Sequence, residues 1–142
     1  MLIFNSLVFE GVLTTDSATG VRSDPRFSEV MGAAETLHIS GYSSQVSGAP
    51  TLLLYVEVSL DNHLWTTYLP IAPLLSQALN AGSETLFQTI YPNTYPSPPY
   101  MRVHAYVTGT NAQAYIRLFA TGRDRSRRAR GIGYGSQPGR LS

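Results

Sequence analysis

Hydrophobic and polar residues alternate along much of this chain. In residues 51–60, Leu52, Leu54, Val56, Val58 and Leu60 fall on one face, and Leu53, Tyr55, Glu57 and Ser59 on the other. Successive side chains of a strand point to opposite faces, so this stretch predicts a strand with one fully apolar face. In residues 100–108, Met101, Val103, Ala105 and Val107 face one way, and Arg102, His104 and Tyr106 the other. In residues 112–121, Ala114, Ile116, Leu118 and Ala120 alternate with Tyr115, Arg117 and Phe119. The last two strands are separated by Thr108-Gly109-Thr110-Asn111, which predicts a β-hairpin.

Shorter β-prone runs cover 2–14, 35–42, 64–69 and 84–91, giving seven or eight strands with turn residues between most of them. Residues 71–81 form the best local helix candidate. The polar stretch 16–31 predicts a helical turn after Asp24-Pro25, because proline suits the first helical position. No repeat of 20–50 residues is present. Many strands, little helix and the length of one domain predict an all-β chain, a single antiparallel β-sandwich of jelly-roll or Ig-like type.

Charge divides the chain in two. Residues 1–122 carry four arginines against eight acidic residues, a net of −4; residues 123–142 carry six arginines against Asp124, a net of +5. The formal +1 of the 142-residue chain is the cancellation of the two. We therefore divide it into a sandwich over 1–122 and an Arg/Gly-rich C-terminal arm over 123–142. With no lysine, Schiff-base and P-loop lysine chemistry are excluded. The lack of cysteine excludes disulfides, thiolate nucleophiles and Cys-ligated zinc. The longest purely apolar run, Leu52-Leu53-Leu54-Tyr55-Val56, is far short of the ~18 residues that span a bilayer, and the N-terminus lacks the basic start of a signal peptide. The expectation is a soluble protein with no membrane partner.

Candidate chemistry is sparse. His38, His63 and His104 lie far apart in no metal-binding motif, so no metal and no cofactor is expected. Glu57 and Asp61 do not form a recognisable acid–base pair, and no nucleophile elbow occurs. Catalytic residues are therefore not assigned, and the chain is not expected to be an enzyme. The segment Ser59-Leu60-Asp61-Asn62-His63-Leu64-Trp65 predicts a turn held by Asp and Asn side chains bonding to the backbone. It returns the chain to the sheet at Trp65, the single tryptophan, which is assigned as a core anchor; an exposed platform for sugar is the alternative.

The arm places Arg123, Arg125, Arg127, Arg128 and Arg130 within eight residues, followed by Tyr134 among glycines. Guanidinium groups recognise carboxylate and phosphate in a planar, bidentate way. We assign these six residues to a partner-binding arm that docks on acidic protein surface; nucleic acid is the alternative target. Residues 92–99 hold four of the nine prolines, and with Tyr91, Tyr95 and Tyr100 they form a candidate contact loop.

The segments PTLLLYVEVSLD, HLWTTY and PYMRVHAYVTGTNAQAYIRLFATGR resemble the small β-sandwich proteins of tailed-bacteriophage virions. The shared pattern is an apolar strand, an S-x-D turn, a tryptophan strand and a late Y-x-R-V…TGT hairpin, and it covers roughly residues 50–123. The resemblance implies a jelly-roll capsid decoration or cement protein in the virion, made in the host cytoplasm. Its partners would be the major capsid protein and copies of itself, as a trimer or dimer. A tail, baseplate or head–tail connector component is the alternative within this class. A carbohydrate-binding module using Trp65, Tyr95 and Tyr100 is the alternative outside it.

Overall fold

The computed structural model describes residues 2–16, 20–67, 73–92 and 98–123. The elements, in order, are β1 (Leu2–Thr14), β2 (Val21–Arg22), a 3-10 turn (Pro25–Phe27), α1 (Ser28–Ala33), β3 (Thr36–Ser47), β4 (Thr51–Ser59), β5 (Thr66–Thr67), β6 (Leu75–Ala78), β7 (Thr85–Pro92), β8 (Tyr100–Thr108) and β9 (Gln113–Arg123). One sheet has the order β1-β9-β3-β7. The other has β2-β8-β4-β5, with β6 also pairing β4. All pairings are antiparallel. Apart from the β4–β5–β6 return, each strand passes to the opposite sheet from its predecessor. An Ig fold pairs its first two strands and its fourth and fifth within one sheet; here β1 and β2 lie in different sheets. The sandwich is therefore of the jelly-roll kind.

The alternating faces fold as expected. Leu52, Leu54, Val56 and Val58 of β4 and Met101, Val103, Ala105 and Val107 of β8 turn inward. They meet Leu37 and Ile39 of β3 and Ala114, Ile116, Leu118 and Ala120 of β9. Val8 and Leu13 of β1, Val46 of β3, Phe87 and Tyr91 of β7, Met31 and Ala34 from the α1 region and Leu79 join this core. The helical turn after Asp24-Pro25 is present; the Asp24 carboxylate accepts from the Arg26 amide at 2.9 Å and caps it.

Four expectations are corrected. β8 and β9 do not form a hairpin, because Thr108-Gly109-Thr110-Asn111 carries the chain from one sheet to the other. Gly109 at φ 140° and Asn111 at φ 47° make that arch. The helix expected over 71–81 is absent where the chain is described: Leu75–Ala78 pairs with Leu54–Thr51 as β6. The open edge of β4 offers backbone partners that outweigh local helix propensity. The strand expected over 64–69 is reduced to Thr66–Thr67, with residues 68 and 69 outside the described residues. Leu60 is 83% exposed, because β4 ends one residue before it.

Candidate functional site

The outer face of the second sheet gathers charge and aromatic rings. Register places Tyr55 beside His104 and Glu57 beside Arg102, with Arg22 of β2 on the other side of His104. Glu57 is buried, an unusual place for a carboxylate. It is held there by Arg102, whose Nε donates to Oε1 at 2.6 Å, and by Arg22, whose Nε and Nη2 donate to its two oxygens at 3.3 Å each. His104 Nδ1 lies 3.7 Å from the same carboxylate. Burial by itself raises the Glu57 pKa; the hydrogen bonds from Arg22 and Arg102 outweigh it and hold the carboxyl below the usual glutamate range. Beside this cluster the Tyr55 and Tyr106 rings stack, 5.9 Å between centroids and 4° from parallel. A hydrogen bond with Tyr55, and burial, push the Tyr106 phenol up.

Trp65 joins this face and is not a core anchor. It is half-buried, and its ring lies under the Arg102 guanidinium at 4.1 Å from the centroid. The physical reason is the preceding turn, which delivers the chain to the rim of the sheet. Asp61 Oδ1 accepts from the His63 and Leu64 amides at 2.9 Å each, and Ser59 Oγ accepts from the Asn62 amide at 2.8 Å. These backbone bonds, to Leu64 and then His63, hold the Asp61 carboxyl low. Asn62 supplies the left-handed residue at φ 64°. The Asx-type turn is thus as expected. A hollow of about 300 Å³ lies against it, lined in part by Leu60, Leu64, Trp65 and Pro98.

The outer face of the first sheet is different in kind. Leu86 is 85% exposed, Ile90 53%, Val12 53% and Leu7 36%. Between them stand Tyr42 and Phe119, with the Arg117 guanidinium 5.9 and 5.4 Å from their ring centroids.

The assigned contact residues are scattered. Tyr91 is buried at the end of β7, on the inward side with Phe87, so it is not a contact residue. Tyr100 is half-buried at the start of β8, opposite Ser59, and Tyr95 lies outside the described residues. Arg123, counted with the arm, is the last residue of β9; its carbonyl accepts from the Glu35 amide at 2.9 Å. Arg125, Arg127, Arg128, Arg130 and Tyr134 lie outside the described residues. Sequence reasoning set Arg102, His104 and Tyr106 on one side of a strand, as found. It missed Arg22, and the one available signal was a glutamate in the middle of an apolar strand, which needs a cation. Among the described residues no three His, Asp or Glu side chains gather as metal ligands, and no helix is long and apolar enough to cross a membrane.

No family model and no curated protein matches the chain. Solved structures share its fold. Clostridium thermocellum endo-1,4-β-D-xylanase 10B, in a chain of CBM22-1 and GH10 modules complexed with xylohexaose, aligns at TM-score 0.59 and 13% identity over 86% of this chain and 25% of that one. The CBM22-1 xylan-binding domain of Paenibacillus barcinonensis Xyn10C aligns at TM-score 0.52 and 14% identity over 86% and 94%. The PBSX exported protein XepA aligns at TM-score 0.46 and 20% identity over 86% and 37%. The chain thus spans about a quarter of the first of these structures. For the first two, at such identities, the likeness is one of fold, a β-sandwich also used by carbohydrate-binding modules.

Proposed function

We propose that this protein is a non-enzymatic structural subunit of a tailed-phage virion, a capsid cement or decoration protein bound to the major capsid protein and to its own copies. One observation carries this reading: on its outer face the first sheet turns four large apolar side chains, Leu7, Val12, Leu86 and Ile90, to solvent among polar ones. A surface that mixes exposed aliphatic side chains with rings such as Tyr42 and Phe119 is of the kind protein contacts use, and an assembly subunit is the setting in which such a face is covered. The sequence resemblance over residues 50–123 supports the virion as that setting. The arm supplies a second kind of contact. Each exposed arginine–carboxylate pair adds about 0.2–1 kcal/mol, and repetition around a shell multiplies the effect.

Purified capsids lacking the protein provide the test. Full-length protein is expected to co-sediment with them in hundreds of copies per particle, and protein truncated after residue 122 to bind at least tenfold more weakly. Copy numbers in the tens would place it in the tail or connector. Undiminished binding by the truncated protein would remove the arm from the mechanism.

A second reading, carbohydrate binding, is favoured by one observation: Trp65 is half-exposed beside Arg102 and next to a hollow. Trp65 is also the sole tryptophan, so its fluorescence reports on that place alone. Under the virion reading, titration with xylohexaose leaves the emission unchanged. A saturable shift abolished by Arg102→Ala would make this face a sugar site.

A further inference from the structure

We infer that the outer face of the β1-β9-β3-β7 sheet is a self-association surface, and that its occupant is the same face of a second copy of this chain. The inference deepens the virion reading and rests on it for the setting in which the pairing is used; the pairing itself is a claim about the isolated protein.

Shape is the first argument. A dent of about 470 Å³ lies between β3 and β7, with Gly41 at its floor and Tyr42, Leu86, Gln88 and Phe119 around it. Position 41 faces the core, where a Cβ would meet the Arg117 carbonyl oxygen and the Phe87 ring, so it stays glycine and only its backbone floors the dent. At the rim stands Leu86, 85% exposed. A knob beside its own hole is the arrangement that a two-fold axis satisfies: each copy's Leu86 enters the other's dent, and the contact closes as a dimer without leading to a filament.

Charge is the second argument. Register aligns Glu10, Arg117, Tyr42 and Leu86 in one row across the four strands. Arg117 Nε lies 3.6 Å from Glu10 Oε2, and the Tyr115 hydroxyl donates to the same carboxylate. The acid and the base in this row thus offset each other, and two such faces meet without like-charge repulsion. The chain's own arginine-rich arm is a poor occupant by the same reasoning, because the acid it would seek is already paired.

Area is the third. Four strands about 4.8 Å apart and about eight residues long, at about 3.3 Å per residue, present roughly 500 Å². Two copies then bury roughly 1,000 Å², the lower bound for a specific interface.

The test is sedimentation velocity on the full chain from about 1 to 100 μM. The wild type is expected to shift from monomer to dimer across this range. Leu86→Glu should raise the dissociation constant about 100-fold, since a two-fold contact loses both knobs at once. Leu86→Gln, which adds no charge, should weaken it less. At about 1 μM, where the wild type is monomeric, both variants should keep its melting temperature because Leu86 is exposed. Leu60→Glu, at the rim of the other sheet, should dimerise as the wild type does. A wild type monomeric throughout, a dimer indifferent to Leu86→Glu, or equal loss in Leu60→Glu would each overturn the inference. Capsid binding by a wild type that stays monomeric would leave the virion reading standing and sink this one. A Leu86-dependent dimer that ignores capsids would do the reverse.

Discussion

Leu54→Ala should destabilise the sandwich by about 3 kcal/mol, within the range of about 2–5 for such a truncation. Leu54 is fully buried in the middle of β4, the strand that joins β8 on one side to β5 and β6 on the other. Removing its isopropyl group takes apolar surface out of the core and leaves a cavity between two hydrogen-bonded sheets, whose stiffness limits collapse. Against a total stability of about 5–15 kcal/mol for a domain, this is a large fraction. A fall in melting temperature of about 10 °C in calorimetry would agree with it. Leu53→Ala removes the same atoms one position away, from the half-buried outer face, and is expected to cost about 1 kcal/mol. Equal losses for the two would contradict the inward and outward faces assigned to β4.

Glu57→Ala should destabilise the protein by about 2–3 kcal/mol. The penalty comes from what remains: Arg22 and Arg102 are left around an empty place that the carboxylate had neutralised. The two arginine side chains are 35% and 24% exposed, so water relieves part of the cost, and the effect falls below that of a fully buried pair. Glu57→Gln keeps the shape and removes the charge, which isolates the ionic part and fixes its pH dependence. The folded-state pKa of Glu57 lies below its unfolded value. Its contribution is therefore complete above the ordinary glutamate pKa of about 4.3 and is lost as pH falls through the lower folded value. Urea denaturation should show a gap between wild type and Glu57→Gln that narrows as pH falls below about 4. A gap that widened below about pH 4 would mean that Glu57 is held protonated.

The two predictions differ in how far the sequence foreshadows them. Leu54 is identifiable by alternation alone, since an unbroken apolar face from Leu52 to Val58 has few places to go except a core. Glu57 is visible as an anomaly within that strand, while one of its partners is not. Arg102 sits opposite it through an antiparallel register, and Arg22 arrives from a two-residue strand in a polar segment with no periodicity of its own. Trp65 shows the same limit. A lone tryptophan after an apolar strand reads as core; the geometry of the Asp61 turn places it on the rim, where its partner is a cation.

Sequence by itself determined which residues of β4, β8 and β9 face inward, where the Ser59–Leu64 turn falls, and that the body and the arm carry opposite charge. Only the tertiary structure decided that β8 and β9 belong to different sheets, that Leu75–Ala78 is a strand, and that the first sheet turns Leu7, Val12, Leu86 and Ile90 to solvent. The reason is physical. Alternation is a local property of a strand and names its buried side. The neighbour that a strand pairs with is settled by competition for backbone donors and acceptors across the whole chain, and that competition leaves no mark within four or five residues.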